Sequence, residues 1–304
     1  MGRAARQIRL SGIFPAAITP QHPKTREADY AGALELVDFL AAAGVDGICL
    51  FGSTGEFLNY SFAERHRLLS LAAKRSRVPI IAGVSHSTLS GALQLADDAI
   101  TAGADALMLM PPYFYRYGQP EVEQFYRDFA REASDAVPIL LYNIPAFTTG
   151  IEIQTARRLF ETGRFAGIKD SSGDWGYFEQ LLELRKERPF ALFGGPEMLV
   201  GRALRAGADG VMSGCACAVP ELVVGLAKAL SAGDMALADT LEARLIEFAT
   251  RAAQFPWPVA VRRAVELRGQ KSGPLALPLS PRTRTALEEF SAWFREWEGS
   301  EGQT

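Results

Sequence analysis

Apolar residues in this chain gather in short continuous runs. Eight stand out, at 14–19, 47–52, 79–83, 106–110, 138–143, 165–169, 190–194 and 210–213. A strand buried on both faces reads as such a run, whereas a strand with one wet face alternates. Between most of the runs the period changes. In 88–102, Leu89, Ala92, Leu93, Ala96 and Ile100 recur at three- and four-residue steps while Asp97 and Asp98 face away. That spacing predicts an amphipathic helix.

The joints repeat as well. Ala43-Gly44-Val45-Asp46-Gly47-Ile48 is echoed by Ala102-Gly103-Ala104-Asp105-Ala106-Leu107 and by Ala206-Gly207-Ala208-Asp209-Gly210-Val211. Each copy predicts a helix ended by a left-handed glycine, a turn at the aspartate, and a strand. The copies are unevenly spaced, which excludes a solenoid of fixed period.

Eight alternating strand and helix units predict an α/β chain folded as a (β/α)8 TIM barrel over residues 1–225. Further helices are expected at 221–230, 235–253, 259–267 and 281–297. The proline-rich stretches 255–258 and 274–281 punctuate them. They would form a C-terminal helical subdomain over 226–297, and 298–304 reads as a loose tail.

Composition narrows the function. Hydrophobic residues make up 48% and charged residues 22% of 304, with a formal net charge of −3. So small a charge gives no reason to expect nucleic acid or an anionic membrane as partner. No apolar run reaches the roughly eighteen residues of a membrane span, and the basic N-terminus lacks the apolar stretch of a signal peptide. Cys49, Cys215 and Cys217 are too few and too scattered for a disulfide framework, which fits a reducing cytoplasm. His22, His66 and His86 share no metal-ligand spacing, and Cys215-Ala216-Cys217 has neither the spacing nor the second pair of a metal site.

In a barrel of this kind the chemistry lies at the C-terminal ends of the strands. There the sequence places Gly52-Ser53-Thr54-Gly55-Glu56, Pro111-Pro112-Tyr113-Phe114-Tyr115, Tyr142-Asn143-Ile144-Pro145, Lys169-Asp170-Ser171-Ser172 and Gly194-Gly195-Pro196-Glu197. Burial disfavours a charged ammonium, so a lysine at such a mouth is suited to attack a carbonyl and form a Schiff base. A lysine that merely ends its strand and reaches solvent is the alternative for Lys169. Tyr142 could relay protons, or could cap the barrel with a local hydrogen bond. Ser53, Thr54 and their turn could offer donors to a small carboxylate, or form an ordinary loop.

Together these motifs resemble the dihydrodipicolinate synthase / N-acetylneuraminate lyase family of class I, Schiff-base aldolases. The likeness rests on Gly52–Glu56, Tyr142-Asn143-Ile144-Pro145, Gly167-Ile168-Lys169-Asp170 and Ser272-Gly273-Pro274-Leu275-Ala276-Leu277-Pro278-Leu279, in that order. It implies that Lys169 forms the imine with pyruvate or a similar 2-oxo acid, that Tyr142 moves protons, and that Ser53 links Tyr142 onward. It implies that Ser53 and Thr54 hold the substrate carboxylate, with Ser171 near the substrate. No metal and no organic cofactor is implied, because a protonated imine is its own electron sink. The partners implied are a 2-oxo acid, an aldehyde, and further copies of the chain in a homotetramer.

Two departures bear on the substrate. The synthase branch carries an arginine soon after Tyr-Asn-x-Pro, for the carboxylate of aspartate semialdehyde. Here Phe147 stands near that place, and an apolar ring cannot replace a guanidinium. Arg116 could supply charge from another loop. The partner-inserted tyrosine of family tetramers matches Phe114, which has no hydroxyl. The missing arginine and the Lys169-Asp170-Ser171 run favour reversible cleavage of a 2-keto-3-deoxy sugar acid into pyruvate and an aldehyde, with Phe147, Ser171 and Met212 among the residues that set specificity, whereas Phe114 favours a protein that binds without turnover. The alternatives are dihydrodipicolinate synthase, a keto-deoxy acid dehydratase, and a 2-oxo acid binding protein without turnover.

Overall fold

The structure, a computed structural model, describes residues 8–299. Its strands are β1 (Gly12–Ile13), β2 (Ile48–Leu50), β3 (Ile80–Gly83) and β4 (Ala106–Leu109), then β5 (Ile139–Asn143), β6 (Phe165–Asp170), β7 (Ala191–Gly194) and β8 (Gly210–Val211). All pair in parallel, in the order β1-β8-β7-β6-β5-β4-β3-β2. β1 and β2, at the two ends of that order, meet in a parallel bridge between Ala16 and Cys49. The Ala17 N–H donates to Cys49 O and the Cys49 N–H to Pro15 O, each at 2.9 Å. The sheet is thereby closed into the expected barrel.

The first strand differs from its expected position at 14–19. Only Gly12–Ile13 pair regularly, with Gly210 and Val211 of β8. Pro15 has no N–H to give a ladder. The segment after it divides its bonds, Ala16 donating to Ser213 O and Ala17 to Cys49 O. It serves as the seam of the barrel.

The repeated aspartates do more than turn the chain. The Asp46 N–H donates to Ile13 O, and its Oδ2 accepts from Ile13 N at 2.8 Å. Asp105 makes the same reciprocal pair with Ile80, and Asp209 with Leu192. In each case an aspartate one or two residues before one strand is tied to a residue of the neighbouring strand. Gly44, Gly103 and Gly207 before them have φ of 83°, 94° and 90°, where a side chain would strain the backbone.

Helices α1 (Tyr30–Ala42), α2 (Phe62–Arg75), α3 (Leu89–Ala102) and α4 (Gln119–Glu132) follow the first four strands. α5 (Ile153–Glu161), α6 (Trp175–Glu187), α7 (Val200–Arg205) and α8 (Pro220–Ala232) follow the others. Their starts are legible. Ser61 and Glu64 form a reciprocal capping box on α2, and Thr88 and Asp174 cap α3 and α6. α3 buries Ala92 and Ala96 as expected, together with Leu95 and Ala99, while Leu89, Leu93 and Ile100 are half-buried at the edge of that face.

Three more helices complete the chain: α9 (Met235–Ala252), α10 (Val259–Leu267) and α11 (Pro281–Gly299). Rings hold them together, with Phe248 of α9 at 5.6 Å from Phe294 and 5.8 Å from Trp297 of α11. Such pairs contribute about 0.5–1.5 kcal/mol each beyond their buried area. α8 runs through residue 225, so the expected limit of the barrel falls inside a helix. α11 runs through Glu298 and Gly299, where a tail was expected, and Glu298 meets Arg268 at 2.9 Å. Residues 300–304 lie outside the described residues. Among those described, no helix is long and apolar enough to cross a membrane.

Candidate active site

Tyr142 and Lys169 are register partners on adjacent strands, β5 and β6. Side chains alternate along a strand, so the pair shares a face and the next residues, Asn143 and Asp170, share the other. The Lys169 ammonium nitrogen lies 4.5 Å from the centre of the Tyr142 ring, and both residues are buried. On the opposite face the Asn143 amide donates to Asp170 Oδ1 at 2.8 Å. Asn143 Oδ1 accepts from Ile151 N at 2.9 Å. Burial pushes the Asp170 carboxyl up, against the hydrogen bonds from Asn143 and Ser172 that favour its ionised form. This buried pair fixes the ends of the two strands that carry Tyr142 and Lys169.

The loop after β2 brings the third group. Ser53 Oγ lies 3.0 Å from the Tyr142 hydroxyl oxygen. Phe51 and Glu56, on either side of Ser53 and Thr54, have φ of 58° and 48°. Two non-glycine residues in the left-handed region mark a loop held in a costly shape by its surroundings. The constraint on Glu56 comes from Arg262 of α10, whose guanidinium donates to the Glu56 carboxylate at 2.7 Å and to Thr19 O at 3.0 Å. It donates also to Ser272 O.

The far wall comes from β7, β8 and the C-terminal helices. Glu197, just after β7, accepts from the Ser213 hydroxyl and from the N–H groups of Gly214 (2.7 Å) and Cys215 (3.2 Å). Burial pushes its carboxyl up, against those donors and the nearby Lys169. Trp257 lies close against Gly214, where a Cβ would stand 2.4 Å from the ring. Glycine is required there by that approach.

These walls enclose a cavity of about 280 Å³. Every site residue expected from the sequence lines it: Ser53, Thr54, Tyr142, Phe147, Lys169, Ser171 and Met212. Sequence reasoning missed Trp257 and gave Ile144 and Ser172 no role. In the sequence Trp257 belongs to the proline-rich stretch 255–258. Its signal was a large aromatic held between two prolines, but nothing local placed it at the barrel mouth.

Other candidates lie elsewhere. Arg116 donates to the carbonyls of Pro145 and Thr148 and does not line the cavity. Phe114 is 84% exposed, its ring edge-on to Tyr115. His22 accepts from the backbone of its own turn, His66 Nδ1 sits beside Asp98 O, and His86 bonds Thr88. Cys215 and Cys217 are buried, and burial pushes the Cys217 thiol up to about 12. Among the described residues no cluster could hold a metal.

Residues 9–296 match the model of the Dihydrodipicolinate synthetase family. The chain is 33% identical over 272 residues to the 4-hydroxy-tetrahydrodipicolinate synthase of Methanothrix thermoacetophila, covering 89% of this chain and 91% of that one. It is 34% identical over 277 residues to the enzyme of the same name from Azoarcus sp., covering 90% and 93%. Among solved structures it resembles a dihydrodipicolinate synthase from Bacillus anthracis, with a TM-score of 0.86 at 26% identity over 94% of this chain and 99% of that one.

Proposed function

Since the chain belongs to the dihydrodipicolinate synthetase family, a family of lyases and synthases, we propose that it joins a pyruvate-type 2-oxo acid to an aldehyde through an imine on Lys169. One observation carries this reading: Lys169, Tyr142 and Ser53 meet in one cavity, with Ser53 Oγ 3.0 Å from the Tyr142 hydroxyl and Lys169 over the Tyr142 ring.

The neutral Lys169 amine adds to the keto carbon of pyruvate, and loss of water gives the imine. Loss of a methyl proton leaves an enamine, whose carbon attacks the aldehyde carbon as the aldehyde oxygen takes a proton. Water then hydrolyses the imine, frees Lys169 and releases a 4-hydroxy-2-oxo acid. The reverse sequence is cleavage. Tyr142 moves the protons and Ser53 passes them on. Ser53 and Thr54 hold the pyruvate carboxylate, with Ser171 close by.

The name shared by the two relatives favours 4-hydroxy-tetrahydrodipicolinate synthase over the cleavage of a 2-keto-3-deoxy sugar acid. Phe147 in place of a guanidinium is the observation that weighs against it. Pyruvate with L-aspartate 4-semialdehyde is accordingly the first pair to assay. The chain is also read as a homotetramer, supported by the exposed Phe114 and Tyr115. A monomer at micromolar concentration in a mass measurement would sink that.

Incubation with pyruvate and sodium borohydride, followed by intact mass and peptide mapping, tests the imine. A reduced pyruvate adduct on Lys169, absent in Lys169→Ala, is expected. A folded protein that forms no adduct with any of a panel of 2-oxo acids would favour a binding protein instead.

A further inference from the structure

Arg65 stands on α2 and is 3% exposed. A buried guanidinium ordinarily faces a carboxylate, because a charge taken out of water without a partner is costly. Among the described residues Arg65 has no ion pair, and its Nε is buried without a hydrogen-bond partner. Burial pushes its guanidinium down to about 10, against the pull of Tyr113 and Asp98.

What Arg65 does touch surrounds one loop. Its Nη2 donates at 2.7 Å to the carbonyl of Gly83, the last residue of β3. Its guanidinium carbon lies 5.4 Å from the centre of the Phe51 ring and 5.4 Å from that of Phe57. Both lie within the roughly 6 Å over which a cation is drawn to an aromatic face. Phe51 and Phe57 flank Gly52-Ser53-Thr54-Gly55-Glu56 on either side. One buried cation therefore holds both ends of the loop that carries Ser53 and Thr54.

The surroundings leave those ends little freedom. Phe51 has a φ of 58°, a conformation that neighbours must enforce. A Cβ on Gly83 would stand 2.1 Å from Phe51 O, so the strand end that Arg65 bonds lies directly against the Phe51 backbone. Phe57 is fixed on its other side by Tyr113, edge-on at 5.7 Å. Arg262 secures Glu56 from the C-terminal helices. Arg65 secures the same loop from within the barrel.

We propose that Arg65 is a positioning residue for the 2-oxo acid: by holding Phe51 and Phe57 against Gly83 it sets where Ser53 and Thr54 meet the substrate carboxylate. This role rests on the Schiff-base reading and adds to it a residue that does not line the cavity. Its effect passes through the loop, where a shift of about 1 Å is enough to impair a bound geometry.

Borohydride trapping of the full chain over a series of pyruvate concentrations tests it, with the adduct measured by intact mass and stability by urea denaturation. Arg65→Lys keeps the charge and loses the planar fork that meets two rings and a carbonyl at once. The pyruvate concentration for half-maximal adduct should rise by about tenfold, the worth of one strong hydrogen bond. The adduct should still form on Lys169 at saturating pyruvate. Phe57→Leu leaves Arg65 and its bond to Gly83 in place and removes one ring. It should shift the same concentration in the same direction by less, and it carries the test if Arg65→Lys does not fold. A role in stability alone would lower the urea midpoint and leave the half-maximal concentration of the folded protein unchanged. That result in either variant overturns the proposal and leaves the imine standing. No adduct in the unaltered protein removes the imine itself, and this role with it.

Discussion

The Arg262 guanidinium, on the tenth helix, donates to the Glu56 carboxylate at 2.7 Å and so fastens the C-terminal helices to the loop that bears Ser53 and Thr54. Arg262 is 1% exposed, the largest fully buried side chain among the described residues. A buried ion pair contributes little net stability when compared with an apolar pair of the same shape, but breaking it strands a charge. Here it also holds Glu56 in its left-handed conformation. The helices after the barrel are thus coupled to the mouth twice, through Arg262 and through Trp257.

Arg262→Ala is expected to cost about 3–5 kcal/mol of stability, the usual result of leaving one member of a buried pair behind. Urea denaturation measures it. Arg262→Lys keeps the charge but cannot reach Glu56, Thr19 and Ser272 together. It should fold, still trap pyruvate on Lys169, and show a lower kcat. An unchanged kcat in a folded Arg262→Lys protein would mean that the loop holds its shape without the clamp.

Tyr142→Phe keeps the ring against Lys169 and removes the hydroxyl that meets Ser53. A positioned proton-transfer group is worth about 10²–10⁴ in rate. We expect kcat to fall within that range with the melting temperature little changed, and a smaller loss for Ser53→Ala. Equal activity in Tyr142→Phe would show that protons reach the carbinolamine by another route.

Asp46 ties Ile13 to the start of the second strand at the seam of the barrel. Asp46→Ala leaves the Ile13 N–H without its carboxylate, which costs about 1–3 kcal/mol for a group removed from water. A drop in the thermal midpoint with kcat per folded molecule retained is expected. Loss of catalysis at full stability would contradict a role confined to the scaffold.

The barrel was legible because each strand is a continuous apolar run and each joint repeats the same glycine and aspartate. Only the first run misled, since Pro15 interrupts the ladder and residues 14–17 share their bonds between two neighbours. Lys169 and Tyr142 were legible for the same reason: they end their strands, and the strand ends define the mouth. Trp257 was not, because no periodicity says where a chain returns once it has left the barrel. The reciprocal bonds of the aspartates escaped notice too. A turn residue and a cross-strand acceptor look alike in sequence, and only the register of the neighbouring strand tells them apart.

Glu197 sets a pH limit on the far wall. Burial pushes its carboxyl above the ordinary glutamate range, so on acidification it takes up a proton earlier than an exposed glutamate would. The ionised form is the one that accepts from Ser213, Gly214 and Cys215. Protonation weakens those bonds and loosens the turn on which Trp257 rests. The sign follows: kcat/KM should decline as the pH falls through this raised pKa and should recover above it. Glu197→Gln keeps an oxygen for the Gly214 and Cys215 N–H groups and has no proton to gain. Its profile should lose the acidic limb, with a reduced plateau because Ser213 now faces an amide. Paired pH–rate profiles decide the matter, and an acidic limb that persists unchanged in Glu197→Gln would assign the titration to another group.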